Sequence, residues 1–247
     1  MRNFPRIRYR SRFGKPEIYF FAISLLLLFM SAGEAKTLQK LSADTNINLI
    51  HFDQEGWDVK RKSAEEILLE RDRIEIHVSF VDEPAPFVKD QIENQRLHKQ
   101  IQESLAEREI GLMNFEIKEV NGVTCRIIHT KEIQSDPGAT RYTSSIQLPV
   151  QGKSCIITVS AREKSPTGRR SALVLTRLMK AGEVSFNRET ADLDNWYVDP
   201  YDSKLAGLLV RNKAELEQYD DIFPDHALTL VRKTVHNIVN SLKIDRK

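Results

Sequence analysis

Two cysteines and a histidine are the first residues in this chain whose types could do chemistry. Cys125 lies in "NGVTCRIIHTKEI", with His129 four residues on, and Cys155 lies in "LPVQGKSCIITVSAREK". The set could be a thiolate–imidazole pair, part of a metal site, a disulfide or two core residues. On a strand, residues four apart share a face but stand roughly 13 Å apart, at about 3.3 Å per residue. That is too far for a Cys–His pair, so a nucleophilic thiol needs a histidine brought in by the fold. The six histidines (51, 77, 98, 129, 226, 236) are scattered, and none pairs at close helical spacing. They are expected mostly at the surface or at element edges, and no metal site or cofactor is expected. The sequence lacks G-x-S-x-G, G-x-x-x-x-G-K-[ST], H-E-x-x-H and C-x-x-C, so no catalytic residues are assigned.

Two further stretches carry charge in a suggestive setting. "ETADLDNWYVDPYD" sets Glu189, Asp192, Asp194, Asp199 and Asp202 around Trp196, Tyr197 and Tyr201. An EF-hand rhythm is missing. A long loop of aromatics and carboxylates is nevertheless a candidate surface for a partner, formed by Asp192, Asp194, Trp196, Tyr197, Asp199 and Tyr201. Its alternative is a solvated loop pinned by its aromatics. Arg169 and Arg170, just before a helical stretch, are candidate contacts for an anion, which a helix N-terminus also favours.

The chain has 247 residues, 40% hydrophobic and 29% charged, with a net charge of +2. That charge belongs to the N-terminus. Residues 1–35 hold six bases and two acids, so 31 bases and 33 acids remain and the rest is slightly acidic. Bulk attraction to nucleic acid is therefore not expected. "MRNFPRIRYRSRFGK", the apolar run 18–30 and "SAGEA" read together as a signal peptide cleaved after Ala35. The apolar run, about 13 residues, is shorter than the roughly 20 of a spanning helix. An uncleaved inner-membrane anchor is the alternative, and the only membrane contact expected. No twin-arginine pair precedes the run and no lipoprotein cysteine follows it.

The elements that must position these residues are mixed. Residues 36–50 read as a polar lead-in, and 51–247 as one α+β domain. A strand opens at Trp57. "RIEIHVSFV" alternates Ile74, Ile76, Val78 and Phe80 with polar residues, giving a half-buried strand. Residues 86–109 predict a helix starting at Pro86 and stopping at Gly111. Leu97, Ile101 and Leu105 lie on one face, with Val88 and Ile92 beside them. Asn121-Gly122 predicts a tight hairpin. Strands follow after "SDPG" and after "QG". A helix is expected to end near Gly182, another in "NKAELEQYDDIF", with Asn212 and Glu215 at capping-box spacing. The last runs from an Asp225 cap along Leu228, Val231, Val235, Ile238 and Leu242.

This meander places Cys155 opposite about Leu148 and Cys125 opposite about Val150 on that strand's other side. Positions two strands apart sit roughly 9–10 Å from each other, beyond the about 4.4–6.8 Å Cα separation of a disulfide. Two unbridged core thiols are therefore expected, although an exported protein favours bridges.

The order of elements, with "GKSCIITVSA" and a final helix closing on "IVNSLKI", resembles the PsbP-like and DcrB-like α/β sandwich superfamily. There a strand of the sense g-K-x-Y-x-l-t-v-s-A precedes a helix, and here Cys155 takes the aromatic position. The resemblance covers about 55–163 and 226–244, while about 165–225 departs from it as an insertion. It implies an antiparallel sheet with helices packed on its faces, and an accessory, assembly or binding role on the far side of a membrane, without catalysis.

The expected function is thus an exported, non-catalytic binding or accessory protein of the cell envelope or lumen, in the periplasm or outside the cell, with another envelope protein as partner. Two alternatives remain: an envelope hydrolase using Cys125 or Cys155, and a carrier with an apolar pocket between sheet and helix.

Overall fold

The computed structural model describes residues 47–82, 91–134, 139–164, 167–199 and 209–245, with backbone alone for 91–95. The signal segment, Pro86, Val88, the Ile92 side chain, the "SDPG" turn, Tyr201 and Asp202 fall outside these residues. No described helix is long and apolar enough to cross a membrane.

Alternation of apolar and polar residues builds one seven-stranded antiparallel sheet, so the chain is α+β. Its strands are β2 (Asp58–Lys62), β3 (Glu66–Arg71), β4 (Ile74–Val81), β5 (Ile110–Val120), β6 (Val123–Ile133), β7 (Thr140–Val150) and β8 (Lys153–Arg162), in the order β2-β3-β4-β8-β7-β6-β5. Strand β3, "EILLER", was not foreseen as separate. Asp72, at φ 56°, turns the chain from it into β4. Two-residue turns join β5 to β6 at Asn121 (φ 50°) and Gly122 (φ 75°), and β7 to β8 at Gln151 (φ 50°) and Gly152 (φ 80°). Both central residues at positive φ give the primed turn whose twist matches the strands.

Helices cover both faces. Helix α1 (Gln91–Ala106) packs Leu97, Ile101 and Leu105 against Ile110, Leu112, Phe115 and Ile128. Helix α3 (Ala227–Ser241) packs Leu228, Val231, Val235 and Ile238 into a second core with Cys125, Ile127, Ile146, Leu148, Cys155 and Ile157. The neighbours Ile127 and Ile128 belong to different cores because successive strand residues face opposite sides. Several details differ from expectation. Gly111 does not stop the helix, which ends at Ala106. It lies in β5, where a Cβ would run into the Leu209 carbonyl. The cap of α3 is His226, not Asp225, since its Nδ1 accepts the Leu228 N–H at 3.2 Å. The packed domain also reaches further toward the N-terminus than residue 51. Ile47, Leu49 and Ile50 are buried, and β1 (Ile50–His51) pairs with β11 (Lys243–Ile244) at the C-terminal end.

Residues 167–199 and 209–226 form a satellite around their own small core. Helix α2 (Arg169–Lys180) contributes Val174 and Leu178, which meet Val184, Trp196, Ala214 and Tyr219. A small hairpin, β9 (Ser185–Asn187) with β10 (Asp192–Asp194), follows the helix. "NKAELEQYDDIF" is two short 3-10 turns, Lys213–Glu215 and Glu217–Tyr219, rather than an α-helix. The Asn212–Glu215 capping box is nevertheless formed.

Cations hold this irregular segment in place. Lys131 of β6 donates to both Glu215 oxygens at 2.9 and 2.8 Å and to the Val210 carbonyl at 2.8 Å. Arg232 of α3 donates to the Glu215 carbonyl at 2.6 Å and to Asp220 at 3.1 Å. Carbonyls that a regular helix would pair internally are thus paired with guanidinium and ammonium groups instead.

Candidate functional site

The thiols are core residues. Cys155 sits opposite Leu148 on β7 and Phe80 on β4. Cys125 precedes the Arg126–Gln147 pair, which puts it beside Leu148 rather than Val150, so the two thiols flank one residue. Neither is bridged, and both are fully buried. Burial pushes the Cys125 thiol up to about 11 and raises Cys155 further, with Cys125 adding to it. A nucleophile must be ionised and reachable. These groups are neither, which removes the basis for a cysteine hydrolase.

A different pair does come together. His129 and Ser144 face each other across β6 and β7, with Nδ1 2.6 Å from Oγ. The pairing resembles an activated serine, but Ser144 is only 1% exposed. Burial, then Arg232, Lys118 and Arg211, holds His129 down at about 3, too low for a base at neutral pH. His77 and His98 are buried as well, contrary to the expectation of surface histidines. No described group of three or more His, Cys, Asp or Glu could hold a metal.

Arg170 is not an anion contact. It is 1% exposed, and its donors are taken by the Ala214 carbonyl (2.6 Å), Thr229 Oγ1 (2.8 Å), the Leu216 carbonyl (2.9 Å) and Asp220 (2.8 Å). It clamps α2 to the irregular segment. Nor does the acidic stretch converge on one point. Trp196 is buried in the satellite core, and Tyr197 packs against that core and bridges to Asn212. Asp192 accepts the Leu193 N–H, Asp194 accepts from Asn187, and Asp199 accepts from Gln102 at 2.8 Å. Trp196 and Tyr197 anchor the described part of the stretch to the satellite core.

Arg169 does face an opening. A groove of about 900 Å³ runs between α2, the 219–227 segment and the turn at Asp72–Arg73. Its apolar residues include Leu173 and Ile222, half exposed at 50% and 54%. Around them stand Arg73, Lys164, Arg169 and Arg177, none of which forms an ion pair with a described residue. Asp72 and Asp225 are exposed acids on the same rim. Glu163 is engaged, since His226 Nε2 donates to it at 2.8 Å while Nδ1 caps α3. Burial raises the Glu163 carboxyl, but the His226 hydrogen bond and charge and the Thr140 N–H outweigh it and hold the group below its ordinary value. The sequence did carry a signal for this groove. Arg169, Leu173 and Arg177 recur at i, i+4, i+8, beside the buried stripe of Arg170, Val174 and Leu178. Arg73, Lys164 and Ile222 join them only through the fold.

No protein-family model matches the chain, and no curated protein matches it. Among solved structures it is similar to cyanobacterial PsbP (CyanoP) from Synechocystis sp. PCC 6803. The two share 13% identity over 62% of this chain and 96% of that one, at a TM-score of 0.30. It is also similar to PA94 from Pseudomonas aeruginosa, a protein of unknown function. Here the identity is 9% over 50% of this chain and 94% of that one, at a TM-score of 0.28. At such scores the likeness transfers no function.

Proposed function

We propose that the chain is a non-catalytic binding or accessory protein, exported to the cell envelope or lumen, and that its partner's acidic segment docks in the groove beside α2. One observation carries this reading: four cations without ion-pair partners among the described residues surround apolar side chains that stand half exposed. Exposed leucine and isoleucine beside arginines suit a chain that presents carboxylates and apolar residues together. The leader-like N-terminus supports export, and helices on both sheet faces support the layered sandwich of PsbP-like proteins. Fluorescence anisotropy with a labelled peptide alternating glutamate and leucine tests the groove. The wild type should bind it in a salt-sensitive way. Arg169→Glu with Arg177→Glu should weaken binding at least about tenfold, roughly 1.4 kcal/mol. Equal binding by the double variant, or turnover of an ester or peptide library by the wild type, overturns the proposal.

A further inference from the structure

A second cavity lies on the sheet face that carries α3, separate from the groove. It measures about 300 Å³ and is lined by Asn114, His129, Arg211, Leu216, Glu217, Gln218 and Arg232. The topology assembles it from distant parts. Asn114 and His129 are cross-strand partners on β5 and β6, Arg232 comes from α3, and residues 211–218 cross over them. Its volume is at the small end of ligand sites.

Three features mark it as a place for an anion. First, Arg211 spends only part of its donor set on the protein. Its Nη1 reaches the Met113 carbonyl at 3.3 Å, while its Nε–H is buried with no acceptor among the described residues. Buried donors are nearly always satisfied, and this guanidinium N–H calls for an acceptor that the described residues do not supply. Second, His129 presents a further donor. In the tautomer in which the Ser144 hydroxyl donates to Nδ1, the ring proton sits on Nε2, which has no partner among the described residues. Third, the field at His129 is positive, while Arg211 itself also feels the carboxylates of Glu215, Asp199 and Glu217. Arg232, Lys118 and Arg211 are the charges felt at His129, and all are cations. Asp220 and the Glu215 carbonyl occupy both terminal nitrogens of Arg232, so this residue contributes charge and a wall rather than free donors. The one carboxylate lining the cavity, Glu217, has a side chain 77% exposed, with its Oε1 4.0 Å from Arg232 Nε.

We propose that this cavity binds a small oxyanion, a phosphate or a carboxylate, which accepts from Arg211 Nε and His129 Nε2 beneath the positive potential of Arg232. A guanidinium edge with a neutral imidazole N–H gives directional donors without the acceptors that would repel such a group.

Thermal unfolding of the full chain tests this, with sodium phosphate and sodium acetate titrated against sodium chloride at matched ionic strength. A specific ligand stabilises as the logarithm of one plus its concentration over its dissociation constant, whereas phosphate excluded from the surface stabilises any protein. The comparison with Arg211→Gln separates the two. The wild type should show a phosphate or acetate response that Arg211→Gln loses and Arg211→Lys partly regains. Arg169→Ala with Arg177→Ala should keep it, so the outcome is independent of the groove. A response to phosphate alone assigns phosphate, and one to acetate alone assigns carboxylate. Should Arg211→Gln not fold, the Nε2–H resonance of His129 in the wild type is the readout, and it should shift saturably with the same anion. No excess over chloride, an equal response in a folded Arg211→Gln, or an unmoved His129 resonance overturns the proposal.

Discussion

Replacing Lys131 by methionine tests how the satellite is fixed to the sheet. The Lys131 and Glu215 side chains are each only 3% exposed, and their three shortest contacts, including the one to Val210, lie between 2.8 and 2.9 Å. Methionine keeps the length of the side chain and removes the charge. Glu215 is then left with the Asn212 N–H at 2.9 Å and the Tyr142 hydroxyl at 3.3 Å as partners, inside the protein. Breaking a buried pair from one side costs about 3–5 kcal/mol, because the surviving charge is uncompensated. For a domain of this size that lowers Tm by roughly 6–20 °C. Urea unfolding followed by tryptophan fluorescence measures it. Trp196 reports the satellite and Trp57 the far edge of the sheet, where it stacks under Arg71 at 4.4 Å. Adding Glu215→Gln to Lys131→Met removes the stranded charge and should recover about 1–3 kcal/mol. A loss under about 1 kcal/mol for Lys131→Met, or no recovery in the double variant, would refute the reasoning.

Three other outcomes follow from the same coordinates. His129 and His98 are held at about 3 and about 4, mainly by burial, so the folded state resists protonation that the unfolded chain accepts near 6.5. Stability should therefore fall as pH drops below about 6.5, with His129 alone accounting for about 2 kcal/mol at pH 5; His129→Gln should flatten that slope, and an unchanged slope in urea titrations contradicts the assignment. Cys125 and Cys155 should resist iodoacetamide in the native protein and react together once it unfolds, with no disulfide in the intact mass; fast native labelling of either would disprove their burial. Gln151 sits at φ 50°, a conformation that costs a non-glycine residue about 1–2 kcal/mol, so Gln151→Gly should raise stability by about 0.5–1 kcal/mol after glycine's own entropy cost, and a lower urea midpoint would count against the turn assignment.

The sheet was legible where residues alternate. Ile74, Ile76 and Val78, the Asn121-Gly122 turn and the stripe from Leu228 to Leu242 all lie where their spacing put them, because strand and helix periods act locally. The unbridged thiols followed from the same local logic, even with Cys125 placed two residues off in register. The satellite was not legible. Trp196 among carboxylates looks like an exposed aromatic until Val174, Leu178 and Tyr219 arrive from elsewhere to bury it. Arg170 beside Arg169 looks equally free, yet one helical step turns it inward onto carbonyls from residues 214 and 216. The groove cations come from three places in the chain. A sequence period cannot show that they lack ion-pair partners among the described residues, since that depends on which carboxylates the fold brings near.

The strand order has a kinetic meaning as well. Every ladder of the large sheet joins neighbours in the chain except the one between β4 and β8, which zips Ile74–Val81 against Ser154–Ala161. The sheet is two local meanders welded along a single seam, and that seam can form only after the whole stretch from Val81 to Ser154 has been looped out. Such long-range closure carries most of the entropic barrier in a β-rich chain. Cys155 lies on the seam, opposite Phe80, whereas Cys125 lies within the later meander. The two thiols, inert as chemistry, thus serve as a built-in clock. In refolding followed by pulsed alkylation, Cys125 should become protected first and Cys155 only as the halves of the sheet close.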